Sequence, residues 1–411
     1  MPEAVVPKRI LFIVSQPYYQ WRGSPIRVGF DVQALAEIGH NVDLLVLPFG
    51  EDWPLPGVTV HRVPNRFRLP EIPIGPSIPK LFFDVLIYCK ARKMIRRTQY
   101  DVLHGVEDAG AICALLRNRA KARIVFEKHS DPASYRKKGI RNLIMAAYAS
   151  VERWMVRRAD AIIGTGPGLA AQVRAIAPEK NVYHIPDIPS SLAESTPDGI
   201  TQKRAQISRD PADIIITYVG SFALYQGIDL LFAAIPEVCR QCQHARFVII
   251  GGSAAEIAAR EAALQQAGAS HAVLFAGKCP PAELPDWLGA SDILLSPRIA
   301  GTNTPLKLLD YLKASKAIVA TENAANRQIL DDACARFSPP DASAYAAAIL
   351  ALARDAPLRQ KLAAAGQERL ENHYTYRVFR EGLRTVYADL DRTAGPGRSS
   401  TIPSKADNPT P

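Results

Sequence analysis

The 411-residue chain lacks the sequence patterns of several protein classes. No run approaches the roughly eighteen apolar residues that span a membrane, and no charged leader precedes a long apolar segment at the start. The six cysteines include one close pair, Cys239 and Cys242, without a second pair at zinc spacing. The histidines show no HExxH spacing. We therefore expect no metal site, no cofactor and a reducing, cytoplasmic setting.

Composition and charge indicate a globular protein with anionic partners. Hydrophobic residues make up 48% of the chain and charged residues 22%, which allows ample core. The formal charge of +10 favours nucleotides, phosphates, acidic lipids or nucleic acids as partners. Nucleic acid is disfavoured, because no known binding module is present and few aromatic residues interleave with the basic ones.

Apolar strands alternate with amphipathic helices in two halves, which predicts two doubly wound α/β domains with parallel sheets. The boundaries follow from composition and pattern: a first domain at 1–187, a Pro-, Ser- and Asp-rich linker at 188–212, a second domain at 213–375, a final amphipathic helix at 376–392, and a disordered tail at 393–411. Two such domains form a cleft, where small ligands usually bind.

The stretch from Ser296 to Glu322 predicts an anion site in the second half. It reads as a strand, a small polar loop, a helix beginning at Pro305, and another strand. A helix start after a parallel strand offers free N–H groups and a positive dipole end. Lys307 and Arg298 flank the loop and are candidates to balance a diphosphate charge, although Lys307 also fits a solvated helix lysine.

Polar residues at the predicted loop and strand ends complete the set of candidates. Thr302, Asn303 and Thr304 offer N–H groups and short side chains, although ordinary loop and N-cap chemistry explains them equally. The first domain contributes strand-end and loop residues to the presumed cleft: His129, Glu107, Asp108, Gly23 and Ser24. A histidine at a strand end is as often structural as functional.

Taken in order, several motifs resemble the family-4 glycosyltransferases of GT-B architecture, over about residues 8–391. The motifs are Ile10–Val14 with Gly23-Ser24 and Gly39-His-Asn-Val42, Val219-Gly-Ser-Phe-Ala-Leu-Tyr-Gln-Gly-Ile-Asp229, Gly251-Gly252, Thr302 to Asp310, Ala317–Thr321, and Asn372-His-Tyr-Thr-Tyr376. The resemblance implies two Rossmann-like domains facing a cleft, with the C-terminal helix crossing back to the first domain.

The resemblance also implies an activity: transfer of a sugar from a nucleotide-sugar donor to a hydroxyl acceptor, a glycan or lipid-linked glycan, with retention and without an essential metal. By this resemblance His129, Lys307 and Asp310 are catalytic; His129 touches the donor sugar or supports its leaving group, and Asp310 accepts from the ribose hydroxyls. The donor-binding residues it implies are Gly220, Ser221, Gln226, Gly251, Arg298, Thr302, Asn303, Thr304 and Leu306. Acceptor-side residues are Gly23, Ser24, Glu107 and Asp108.

The chain departs from the family pattern at the diphosphate-binding positions. Ser221 and Gln226 stand where the family has Arg and Lys, and Thr302 stands where it has the first motif glutamate. A variant branch with YQG and NTPLK motifs is closer, and a lysine within the motif helix is typical there. Two alternatives stay open: a catalytically inactive nucleotide-sugar-binding homologue, and a nucleotide-sugar epimerase of the same fold.

Basic residues concentrate in the first domain, along 80–97 and again from Arg136 to Arg158. One interpretation is a core helix with a solvated face. The other is a peripheral surface that attaches the protein to the anionic inner face of the cell membrane, close to a lipid-linked acceptor.

Overall fold

The computed structural model describes residues 6–18, 20, 23–51, 53–66, 68–69, 78–131, 140–208, 210–301 and 304–392. The predicted disordered tail at 393–411, the basic residues Arg136–Lys138, and the candidates Thr302 and Asn303 lie outside these ranges. No helix among the described residues combines the length and the apolar character needed to cross a membrane.

The first domain is a seven-stranded parallel sheet with the order β3-β2-β1-β4-β5-β6-β7. Its strands are β1 (Arg9–Val14), β2 (Asn41–Val46), β3 (Val58–Arg62), β4 (Val102–Val106), β5 (Arg123–Lys128), β6 (Ala161–Gly164) and β7 (Asn181–His184). Its helices are α1 (Gly23–Ile38), α2 (Ile78–Arg97), α3 (Ala109–Ala120), α4 (Ile140–Arg158) and α5 (Pro167–Ile176). Beyond their first residues the central strands β1, β4 and β5 are buried, because two hydrophobic cores cover the two faces of the sheet.

The second domain repeats this plan with a six-stranded parallel sheet, in the order β10-β9-β8-β11-β12-β13. The strands are β8 (Ile214–Val219), β9 (Ala245–Ile250), β10 (Val273–Gly277), β11 (Ile293–Ser296), β12 (Ala317–Thr321) and β13 (Arg336–Ser338). The helices are α6 (Pro197–Ile207), α7 (Ile228–Gln241), α8 (Ala254–Gln266), α9 (Leu284–Gly289), α10 (Lys307–Lys313), α11 (Ala324–Arg327), α12 (Ala342–Arg354) and α13 (Ala356–His373). Short 3-10 turns lie at Leu224–Gln226, Ser270–Ala272 and Pro281–Glu283.

The last helix, α14 (Tyr376–Arg392), belongs to the first domain's core. Its apolar face is buried with β1 and α1 through Phe379, Leu383, Val386, Tyr387 and Leu390. The five positions recur at helical spacing, so a single face enters the core. The predicted fold class, with two Rossmann-like domains and a helix that crosses back, is confirmed.

The segment predicted as a linker, 188–212, is more ordered than its composition suggests, because it contains α6. Thr196 caps the helix by accepting from the Gly199 N–H, and Pro197 is the first helical residue. The Pro and Thr that favour a loop therefore start a helix here. The motif helix α10 begins at Lys307, two residues later than predicted, because Pro305 and Leu306 form a tighter turn.

Candidate active site

The candidate residues of both domains lie at the carboxyl ends of parallel strands, the edge where α/β sheets bind ligands. His129 directly follows β5, and Gly220 directly follows β8. The motif loop of the second domain faces the first domain. Leu306 Cδ1 lies 3.7 Å from the place that a Cβ on Gly23 would occupy, and the Thr304 hydroxyl lies 4.0 Å from that of Gly166.

Two glycine turns pack against each other at the edge of the second sheet. Gly220 and Gly251 adopt φ values of +151° and +123°, which favour glycine. A Cβ on Gly251 would collide with the carbonyl of Gly220, and a Cβ on Gly220 would lie 3.5 Å from Lys307 Nζ. The absence of side chains at the two glycines therefore lets the two turns and the Lys307 ammonium group lie close together.

Lys307 places a cation at this turn, and the groups that its ammonium contacts are uncharged. Its Nζ donates to Gln226 Oε1 at 3.2 Å and lies 4.4 Å from the centre of the Tyr218 ring. Among the described residues no carboxylate pairs with it. Burial and the neighbouring positive charge of Arg298 lower the pKa of Lys307 to about 7. An anion in the cleft would restore its full charge.

Arg298 supplies the second positive charge beside the motif loop, and only 6% of it is exposed. Its Nε donates to Ala300 O at 2.8 Å, and its guanidinium lies 5.5 Å from the centre of the Tyr225 ring. Ser221 is exposed on the neighbouring turn, and its carbonyl accepts from the Tyr218 hydroxyl at 2.8 Å.

Asp310 contacts the interdomain segment rather than Lys307. Its two oxygens accept from Ser190, one from the backbone N–H at 2.7 Å and one from the hydroxyl at 2.8 Å. Burial raises the pKa of Asp310 to about 6, although the bonds from Ser190 oppose the rise. Lys313 donates to Ser191 O at 3.0 Å on the same side. Hydrogen bonds thus connect the helix α10 to the segment that joins the domains.

His129 lies at the centre of the first-domain site. Its Nδ1 lies 2.6 Å from the Ser24 hydroxyl, and its Nε2 lies 2.9 Å from Glu127 Oε1. Its backbone N–H donates to Glu107 Oε1 at 2.6 Å. Glu107 has a φ of +52°, uncommon for a residue with a side chain. Asp108 forms an ion pair of 2.5 Å with Lys80. Of the acceptor-side candidates, Ser24 and Glu107 therefore contact His129, whereas Asp108 pairs with Lys80.

Glu127 is a buried member of this site that the sequence reasoning did not identify. It accepts from Arg27 Nε at 2.5 Å and from His104 Nε2 at 3.0 Å, in addition to His129. Burial opposes its ionisation, but the positive charge of Arg27 holds the pKa of Glu127 well below its usual range. The sequence carried a signal for Glu127, because residues two apart in a strand lie on the same face and Glu127 precedes His129 by two positions.

Two groups of side chains bring three potential metal ligands within 4.8 Å of one another, among the described residues. They are Asp31, Glu127 and His129, and Asp210, Asp213 and His244. In the first group Arg27 already supplies positive charge to Glu127. In the second, Arg246 forms an ion pair of 3.1 Å with Asp213.

Two parallel α/β domains, with candidate residues on facing sheet edges and a C-terminal helix returning to the first domain, define the GT-B class of glycosyltransferases. The profile of the family described as "Glycosyl transferase 4-like domain" matches residues 23–186, and that of "Glycosyl transferases group 1" matches residues 213–355. The chain belongs to the family-4 glycosyltransferases of GT-B fold. It is a glycosyl-transfer enzyme.

Relatives of known name agree with this assignment. A phosphatidyl-myo-inositol mannosyltransferase of Mycobacterium tuberculosis is 24% identical over 389 residues, covering 91% of this chain and 95% of the relative. Sucrose-phosphate synthase from Thermosynechococcus elongatus superposes with a TM-score of 0.76 at 21% identity, covering 94% and 100% of the two chains. HepE from Anabaena, solved in complex with UDP-glucose, superposes with a TM-score of 0.68 at 12% identity. The match covers 93% of this chain and 100% of HepE.

Proposed function

We propose that the enzyme transfers a sugar from a nucleotide donor held by the second domain to a hydroxyl acceptor held by the first. The observation that carries the proposal is the Lys307 ammonium, 3.5 Å from the Cβ position of Gly220 and without a carboxylate partner among the described residues. A cation at that turn is suited to the charge that develops on a leaving diphosphate. Arg298 reinforces it, so the two positions occupied by Ser221 and Gln226 need not be basic.

We further propose retention of the anomeric configuration and catalysis without an essential metal. Both follow from the resemblance to the family. Lys307 and Arg298 support metal independence, because two cations can neutralise the charge of a diphosphate as a metal ion would.

The acceptor that we propose is a glycan or lipid-linked glycan on the inner face of the cell membrane. The mycobacterial relatives are named for phosphatidyl-myo-inositol, a lipid. The helix α2 exposes Leu81, Phe82 and Val85 to solvent at 66%, 37% and 53%, and basic residues occupy its last turn. Apolar side chains beside cations are typical of surfaces that attach reversibly to anionic lipid. We propose that the enzyme acts there as a peripheral protein without a nucleic-acid partner.

A panel of nucleotide sugars screened by thermal shift identifies the donor, and mass spectrometry of products with acceptor glycans and lipids then tests transfer. Lys307→Ala should lower turnover by about a hundredfold or more, with a smaller loss of nucleoside affinity. An enzyme that releases free sugar equally with and without acceptor would favour an epimerase. Binding without turnover would favour an inactive homologue. If Lys307→Ala keeps turnover close to that of the wild type, Arg298 becomes the first candidate to bind the diphosphate of the donor.

A further inference from the structure

A chain of hydrogen bonds runs from the cleft through the first domain to α14. It begins with Ser24 Oγ and His129 Nδ1 and continues through His129 Nε2 to Glu127. The other Glu127 oxygen binds His104 Nε2, and His104 Nδ1 lies 2.8 Å from the Tyr387 hydroxyl. Glu127, His104 and Tyr387 are fully or almost fully buried, so water does not replace these bonds.

The direction of each bond follows from the charge of Glu127. The ionised carboxylate can only accept, so both histidines donate to it from Nε2. Burial lowers the pKa of His104, whose ring is therefore neutral and accepts from the Tyr387 hydroxyl at Nδ1. The tautomer of His129 with its proton on Nε2 leaves Nδ1 to accept from the Ser24 hydroxyl, 2.6 Å away. Every proton in the chain points toward Glu127.

Ser24 is the end of this chain that meets the substrate. It is the second residue of α1, and the residue before it, Gly23, lies against Leu306 of the other domain. Because the Ser24 proton points to His129, its oxygen lone pairs remain available to a hydroxyl group in the cleft. The serine is thereby oriented to accept a proton from a substrate hydroxyl.

We infer that Ser24, His129 and Glu127 form a proton relay for the acceptor hydroxyl, an inference that depends on the proposed glycosyl transfer. The acceptor oxygen forms its bond to the anomeric carbon while the nucleoside diphosphate leaves with the electron pair of the broken C–O bond. The acceptor proton moves to the Ser24 oxygen, and the Ser24 proton moves to His129 Nδ1. Glu127 balances the imidazolium and fixes the ring, and the proton returns to solvent after product release.

Other titratable groups lie close to His129, and one of them provides a matched control. These groups are Asp31, His104 and Glu107, and Arg27 pairs with Glu127 beside them. Asp31 is fully buried, and its oxygens have no hydrogen-bond partner among the described residues. Burial raises the pKa of Asp31 well above its usual range, which favours the uncharged form, although Arg27 Nε lies 3.9 Å from Asp31 Oδ2. Asp31→Asn therefore keeps the shape of the side chain and replaces a carboxyl group that burial favours in its neutral form, outside the hydrogen-bond chain.

The kinetic test compares Ser24→Ala and Glu127→Gln with Asp31→Asn, using the donor found by screening. General base catalysis is worth about 10²–10⁴-fold, so both relay variants should lose kcat by on the order of a hundredfold. Their KM for the donor should stay within about twofold, because no ground-state contact to the nucleotide is removed. The control should keep wild-type kcat, with thermal melting recorded for all. If kcat of both relay variants stays within about threefold of wild type, the relay is overturned.

A second test needs no turnover and so separates the relay from the proposed function. The ¹⁵N spectrum of histidine-labelled protein, assigned with His129→Gln, shows which ring nitrogen carries the proton in neutral His129. A proton on Nε2 supports the relay, and a proton on Nδ1 overturns it. If wild-type protein transfers no sugar from any donor, the proposed function fails. If the wild-type enzyme transfers sugar and the relay variants keep its kcat, the relay is overturned and the proposed function stands.

Discussion

At the scale of single residues, burial sets the charge of the groups that face the cleft. Burial lowers the pKa of Lys307 to about 7 and raises the pKa of Asp310 to about 6. Both shifts favour the neutral form, since burial removes water from each charge. A ligand of opposite charge therefore changes protonation as it binds.

Nucleoside diphosphate binding should take up a proton through Lys307. Above pH 7 the lysine is mostly neutral in the free protein, whereas the bound diphosphate favours the ammonium form. Affinity for UDP, used as a probe, should therefore fall as pH rises above about 7. Titration calorimetry at pH 8 in buffers of different ionisation enthalpy should give an uptake approaching about one proton.

The matched control for this measurement is Lys361→Met, which changes an exposed lysine on α13. It should retain the proton uptake that Lys307→Met loses. Equal uptake in the two variants would assign the proton to another group.

Asp310→Asn should weaken nucleotide binding by about 1–3 kcal/mol if the carboxylate accepts from ribose hydroxyls, the usual cost of leaving polar partners unpaired. Ser190→Ala tests the competing role, because Ser190 is the partner of Asp310 in the structure. Calorimetry on both variants separates the two roles. A loss in Asp310→Asn alone indicates ribose contact, and equal losses indicate that Asp310 acts through the linker.

At the scale of elements, the sequence predicted the alternation of strands and helices because apolar periodicity is local. The positions of His129, Glu107 and Gly220 at strand ends followed from the same pattern. The bond between Ser24 and His129 did not, because Ser24 on α1 and His129 after β5 are 105 residues apart and meet only in the folded domain. The contact of Asp310 with Ser190 depends on the path between the domains, which local periodicity does not encode.

The helix α2 presents a solvent-facing stripe that changes character along its length. Phe82 and Val85 are exposed near its beginning, and Lys93 and Arg96 near its end. Their spacing of three and four residues, continued through Cys89, keeps them on one face. A single helix thus offers lipid both an apolar and a cationic contact.

The protein should sediment with vesicles rich in anionic lipid at low salt and be released as salt rises. Each cation near the surface contributes about 1 kcal/mol, and salt screens the field. Neutralising four basic residues of α2 should abolish sedimentation without changing the melting temperature: Arg92, Lys93, Arg96 and Arg97.

The control neutralises four exposed basic residues of the second domain, which equalises net charge: Arg240, Arg336, Arg354 and Lys361. This variant should still sediment. Equal sedimentation with neutral vesicles, or none with either kind, would contradict the membrane surface and favour a soluble acceptor.

At the scale of the whole molecule, several contacts among the described residues join the two domains. Leu306 faces Gly23, Asp310 binds Ser190, and α14 is buried in the first domain. The hydrogen-bond chain that contains the proton relay also ends on α14, at Tyr387. The two domains are therefore parts of one stability unit rather than independent modules.

Truncation after Thr375 should leave the first domain unfolded. Five apolar side chains of α14 are lost from its core, each worth about 1.5–3 kcal/mol on full burial. Their total, roughly 8–15 kcal/mol, equals the whole stability of a typical domain. Truncation after Arg392 is the control and should melt like the full chain. Circular dichroism and limited proteolysis check both, and a cooperative native-like melt of the shorter chain would contradict the prediction.

The place of α14 also determines the order in which the molecule is made. Between His184, the last residue of β7, and Tyr376, the first of α14, the ribosome must synthesise the whole second domain. At about 5–20 residues per second, the nascent first sheet waits roughly ten to forty seconds with the groove for α14 uncovered. The domain that begins the chain is therefore the last to be completed, and during that interval its groove is a binding surface for chaperones.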